Sequence, residues 1–166
     1  AYTYSQFEVP DARRVYTTFE QPDLKYTFTL TVKAPKGWKV FSNATTPTPE
    51  EDGEAWVYRF ATTEVMSTYI TAIVAGPYEG TTATLTSSDG RTIDLGVYAR
   101  ASIVEHLDAN EIIEITRQGF EFFEGAYGIA YPFTKYDQIF VPEYNAGAME
   151  NAGCVTFRDA YVFRTR

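Results

Sequence analysis

The sequence predicts a mainly β, α+β chain. An antiparallel β-sandwich or saddle is expected over residues 1–100, followed over 101–166 by the first helix and strands of a second unit. Three observations carry this reading. Apolar and polar residues alternate with period two through the first hundred positions, turn-forming residues separate short strands at regular spacing, and a single helical pattern begins after residue 101.

The first clear strand is YTFTLTV, in which Tyr26, Phe28, Leu30 and Val32 share one face and Thr27, Thr29 and Thr31 the other. PTPEEDG, from Pro47 to Gly53, reads as a loop by its prolines and charges. AWVYRF sets Trp56, Tyr58 and Phe60 on one side of a strand, whereas STYITAIVA is apolar on both faces and belongs to a more central one. TATLTSSDGRTIDLGVYA is a hairpin, with Asp89-Gly90 supplying its turn. Asp108 with Glu111 three positions on then forms a capping box, and a helix follows over about 109–127. Along it Ile112, Ile115, Gly119, Phe122, Phe123 and Ala126 recur at helical spacing. Gly128 stops the helix, and Tyr131-Pro132 forbids its continuation. Strands in YDQIFVP and GCVTFRDAYVF close the chain around the loop NAGAMENAG.

Composition narrows the partners. A formal net charge of −8 with no Lys/Arg cluster argues against nucleic acid or an anionic membrane, both of which need a concentrated positive face. It is compatible with cationic ligands or with a solvated acidic surface. Cys154 is the only cysteine, so no internal disulfide can form. No apolar run approaches the ~20 residues of a membrane span, and no signal-peptide pattern opens the chain. A cytoplasmic location is the expectation.

The loop from Asn145 to Gly153 is nearly bare of side chains, with Glu150 as its one carboxylate. It reads either as a surface connection using Gly147 and Gly153 for their permissive angles, or as a place where another backbone comes close. In the second case a peptide pairs with the exposed main chain as an added strand, and Glu150 meets its α-ammonium.

GAMEN, from Gly147 to Asn151, resembles the exopeptidase signature of the zinc aminopeptidases of the aminopeptidase N family. Three further blocks are similar to that family in the same order: SQFEVPDARRVYTTFEQPDLKYTFTLTVKAP, MSTYITAIVAG, and YPFTKYDQIFVPEYNAGAMENAG. The resemblance implies that the chain joins the later part of an N-terminal β domain to the start of a thermolysin-like catalytic domain. It implies an enzyme that hydrolyses N-terminal residues from peptides with a free amino end. Glu150 would bind the α-amine, Glu8 would be a second amine anchor, and the backbone of Gly147, Ala148 and Met149 would pair with the peptide. Gln6 would line the pocket for the first side chain, with Met149 beside it, while Asn151 would hold the loop's shape through its amide.

One departure from the family pattern is decisive for expectation. Catalysis there needs an H-E-x-x-H helix and a more distant Glu around Zn²⁺, and neither occurs in this sequence. His106, the only histidine, has no partner at i+4, and Cys154 has no histidine near it to act as base. The expectation is therefore a fragment whose zinc ligands lie outside the chain and which is inactive alone. The rival reading is a non-catalytic β-sandwich module for peptide or carbohydrate, supported only by the missing zinc motif.

Overall fold

The computed structural model describes residues 1–163, and positions 164–166 of the expected second unit lie outside the described residues. Three sheets and one long helix stack in layers. The first sheet is antiparallel, with β1 (Thr3–Tyr4) and β3 (Lys39–Ser42) on either side of β6 (Ile73–Gly76). The second is also antiparallel: β2 (Thr31–Pro35), β5 (Ala55–Arg59) and β4 (Glu50–Asp52), in that order. The third runs in the order β10 (Ala148–Met149), β11 (Cys154–Arg158), β9 (Lys135–Val141), β8 (Thr92–Arg100) and β7 (Tyr78–Thr86). Helix α1 (Ala109–Tyr127) links β8 to β9.

The fold class is the expected one, mainly β with antiparallel sheets and a single long helix. The helix adds a feature that period-two patterning cannot show. β8 and β9 run parallel, as a strand–helix–strand crossover requires, and β9 is parallel to β11, so the third sheet is mixed. That sheet draws strands from both sides of residue 100. The change from the first sheet to the third falls at Pro77, between β6 and β7.

Alternation explains the layering. In the first sheet Val40 and Ala75 face the second sheet, where Ala34, Tyr58 and Phe60 complete one core. Their neighbours Phe41 and Val74 point the other way and pack with Ile139, Val141, Tyr144, Met149 and Cys154. A sheet covered on both sides needs apolar residues on both faces, which is why IVA in β6 shows no alternation. The opposite face of the third sheet presents Ile93, Leu95, Val97 and Phe140 to α1.

Three local expectations are corrected. Ladder pairing of the 26–32 segment is confined to β2, with Tyr26 bridging Met66 upstream; Tyr26 itself is exposed, while Phe28, Leu30 and Val32 keep the inward face. Within the expected PTPEEDG loop, Glu50–Asp52 forms edge strand β4, whose acids pair with Lys33, Lys36 and Arg59 alongside. On α1 the buried face is Ala109, Ile113 and Glu124, with Ile112, Thr116 and Phe120 half-buried beside it; Ile115, Phe122, Phe123 and Tyr127 are exposed. The helix is apolar around much of its circumference, so spacing alone could not choose the face that meets the sheet. Its ends are as expected: Asp108 accepts from the Glu111 N–H, and Gly128 closes the helix in a left-handed conformation at φ 63°.

Glu124 decides how α1 is fixed. Its carboxylate accepts from the Ser87 hydroxyl at 2.6 Å, the Ser88 N–H at 2.7 Å and the Tyr131 N–H at 2.7 Å. One buried side chain therefore ties the helix to the β7–β8 turn and to the segment before β9. Burial works against the charge, but the hydrogen bonds from Ser87, Tyr131 and Ser88 outweigh it and hold the carboxyl below its ordinary value of 4.5. A carboxyl depressed in the folded state stabilises fully above its unfolded pKa and loses that contribution as pH falls through the folded value. Glu124→Gln is therefore expected to cost about 1–3 kcal/mol at pH 7 and less at pH 3, below the ordinary carboxyl value. Urea unfolding at both pH values measures this, and an equal gap at the two would contradict it.

Candidate functional site

The bare loop sits at the edge of the third sheet. β10 pairs with β11 in the register Ala148↔Phe157 and Met149↔Thr156, and the Arg158 N–H donates to the Gly147 carbonyl at 2.9 Å. Antiparallel pairing alternates, so the N–H and C=O of Ala148 turn away from β11 toward the open side. Among the described residues no strand occupies that side. Ala148 is exposed there, as is Glu150 one residue beyond the strand.

The two glycines of this loop are constrained differently. A Cβ on Gly147 would lie 2.9 Å from the hydroxyl of the exposed Tyr161, which could swing aside. Gly153 has φ +67°, and a Cβ there would meet the Asn43 carbonyl at 2.9 Å and the Lys135 carbonyl at 3.2 Å. Between them Met149 is buried in the core, with its Sδ reached by the Gln6 side-chain N–H at 3.7 Å. Asn151 is also buried, and its Nδ2 donates to Thr156 Oγ1 at 3.4 Å.

The N-terminal segment closes over one end of the loop. Tyr4 packs edge-on against Tyr144 with ring centroids 5.4 Å apart, and its hydroxyl donates to the Glu143 carbonyl at 3.1 Å. Tyr4 and Gln6, with Tyr144, Asn145 and Ala146, line a cavity of about 370 Å³. Met149 is not among the lining residues, and reaches this region only through Gln6. Glu8 follows the buried Phe7 and is exposed.

Tyr144 is the residue that links these groups, and sequence reasoning missed it. Its phenol is buried and accepts a hydrogen bond from Thr156 Oγ1 at 3.2 Å. Burial first, and then the neighbouring Tyr4, Glu150 and Glu8, raise its pKa above the ordinary value, against the Thr156 hydrogen bond. The only signal available in the sequence was the position of Tyr144 directly before the loop.

Other candidates separate from this site. His106 stands beside Glu105 at 3.8 Å and against Phe163, in the segment before α1. Cys154 is fully buried, and burial pushes its thiol up to about 12, which leaves it inert as a nucleophile. Among the described residues no three of His, Cys, Asp or Glu gather as a metal would require, so nothing here fits zinc. An apolar hollow of about 450 Å³ between Phe120, Phe123, Tyr127 and Tyr131 lies against α1, and none of the loop's residues line it.

The loop thus presents an open strand edge, small residues and the exposed carboxylate of Glu150. Comparison with known proteins gives the family. Residues 1–70 match the family model for the peptidase M1 N-terminal domain, and residues 111–165 match the peptidase family M1 domain. The chain is 57% identical over all its 166 residues to aminopeptidase N of Streptomyces lividans, of which it covers 19%. It is 33% identical over 159 residues to aminopeptidase Ey of Gallus gallus and 31% over 160 to aminopeptidase N of Mus musculus, covering 16% of each. The chain thus spans less than a fifth of the length of these relatives. It belongs to the aminopeptidase N group of peptidase family M1.

Proposed function

We propose that these residues form the substrate-anchoring part of an aminopeptidase, an enzyme that removes residues from the amino end of peptides. One observation carries the reading: the unpaired edge of Gly147–Met149 presents the outward main chain of Ala148, with the exposed carboxylate of Glu150 one residue beyond it. The names of the relatives support it.

The residues act by binding and orientation. A peptide in extended form adds to the open side of β10 and exchanges main-chain hydrogen bonds with Ala148. Its α-ammonium meets the two carboxylates, and its first side chain enters the cavity of Tyr4, Gln6 and Tyr144. The peptide's reach is thereby fixed from its first atom, which sets the first peptide bond at a constant distance from the anchor. Asn151 and Thr156 support Tyr144 from beneath. The zinc that the family resemblance implies would be held by residues elsewhere in the parent enzyme, and this segment alone would be inactive.

The test compares the whole enzyme on one peptide with its amino end free and acetylated. Hydrolysis restricted to the free form, one residue at a time from that end and abolished by chelation, is the expected result. Cleavage of both forms at equal rates, or at internal bonds, would rule the reading out.

A further inference from the structure

The loop's root is held by two buried side chains whose purpose the anchoring site alone does not explain. Asn43, just beyond β3, donates from Nδ2 to the Ala152 carbonyl at 2.8 Å and to the Ile70 carbonyl at 2.8 Å, and its Oδ1 accepts from the Ala72 N–H at 2.9 Å. Lys135, at the start of β9, donates from Nζ to the Gly153 carbonyl at 2.6 Å and to Asp137 Oδ2 at 2.7 Å. Two consecutive carbonyls, two and three residues after Glu150, are thus gripped from two different sheets. Asn43, Lys135 and Asp137 are all buried.

The sequence makes room for this arrangement at a cost in side chains. A Cβ on Gly96 of β8 would run into both Asp137 Oδ1 and the Tyr98 ring, so glycine there leaves room for the carboxylate and the ring together. Burying an ammonium is unfavourable unless partners meet each of its donors, and holding a turn does not need a charge. The Gly153 carbonyl already accepts the Asp137 N–H at 3.1 Å. The added ammonium therefore serves to fix where that carbonyl points.

We propose that Asn43 and Lys135 are positioning residues for Glu150. They clamp the C-terminal root of the loop to both sheets, and so hold the carboxylate and the open edge of β10 in one register relative to the N-terminal segment that carries Glu8. The proposal rests on the anchoring reading above. An anchor works through placement, and a shift of about 1 Å is enough to degrade it.

The experiment uses the whole enzyme. Lys135→Met is combined with Asp137→Asn, so that no unpaired charge remains, and Asn43→Ala is made separately. Far-ultraviolet circular dichroism and urea titration identify which variants fold. Amide hydrogen exchange is then followed across residues 147–151, and kcat and KM are measured for an amino-acid anilide with a free or an acetylated amine. Exchange in the loop is expected to rise at least tenfold with β8 and β9 unchanged. KM for the free amine is expected to rise at least fivefold, with a smaller fall in kcat and a reduced preference over the acetylated form. A folded variant with wild-type loop exchange overturns the proposal, as does one with loosened exchange and unchanged KM and preference. Glu150→Gln run in parallel separates the two readings. If it leaves the free-amine preference intact, the anchoring reading fails, and the exchange data still judge the clamp.

Discussion

Glu150→Gln in the whole enzyme is expected to lower kcat/KM for peptides with a free amino end by about 10- to 100-fold. The magnitude follows from what is removed. A hydrogen bond to a charged group contributes about 1.5–3 kcal/mol net, and each 1.4 kcal/mol is a factor of ten. Coulomb attraction of two unit charges ~4 Å apart is ~4 kcal/mol at an effective dielectric of ~20, before desolvation is subtracted, so the two routes agree in scale. Glu8 remains to hold part of the ammonium, which keeps the loss from being larger. An acetylated substrate carries no ammonium, and wild type and variant are expected to treat it alike. Because Glu150 is exposed, its replacement should change unfolding free energy by no more than about 0.5 kcal/mol. Steady-state kinetics on both substrates, with a urea titration, give all three quantities. Wild-type kcat/KM on the free amine would remove Glu150 from the anchoring role.

Much of this site was legible in the sequence because it lies in contiguous motifs. The bare loop around Glu150 was read either as a surface connection or as a main chain open to another backbone, and the structure adds that Ala148 sits on an edge strand with its main chain turned outward. Asp108 and Gly128 bounded the helix correctly, since capping is a local matter of backbone donors and acceptors. What could not be read depends on pairing between distant segments. The mixed third sheet arises because α1 carries the chain back across the sheet, and the burial of Phe120 rather than Phe122 or Phe123 depends on which side of α1 meets β8. Tyr144 becomes part of the site only when Tyr4 folds against it. Nothing in the sequence singled out Lys135 or Asp137, because only the return of Gly153 along β9 buries them.

That burial carries the largest expected effect on stability. Lys135 is 2% exposed and Asp137 7%, and they meet at 2.7 Å. Lys135→Met fills similar volume with an apolar chain, but leaves the Asp137 carboxylate buried without its counter-charge and the Gly153 carbonyl with one donor instead of two. Breaking one side of a buried pair typically costs about 3–5 kcal/mol, against about 5–15 kcal/mol for the stability of a whole domain. Adding Asp137→Asn is expected to restore a large part of the loss, because most of it is the penalty of an unmatched charge rather than the value of the bond. Urea unfolding of the wild type, both single variants and the double variant forms a double-mutant cycle that measures this coupling directly. Strictly additive losses would mean that the two charges do not stabilise each other across 2.7 Å, and that Lys135 contributes through packing and its bond to the Gly153 carbonyl.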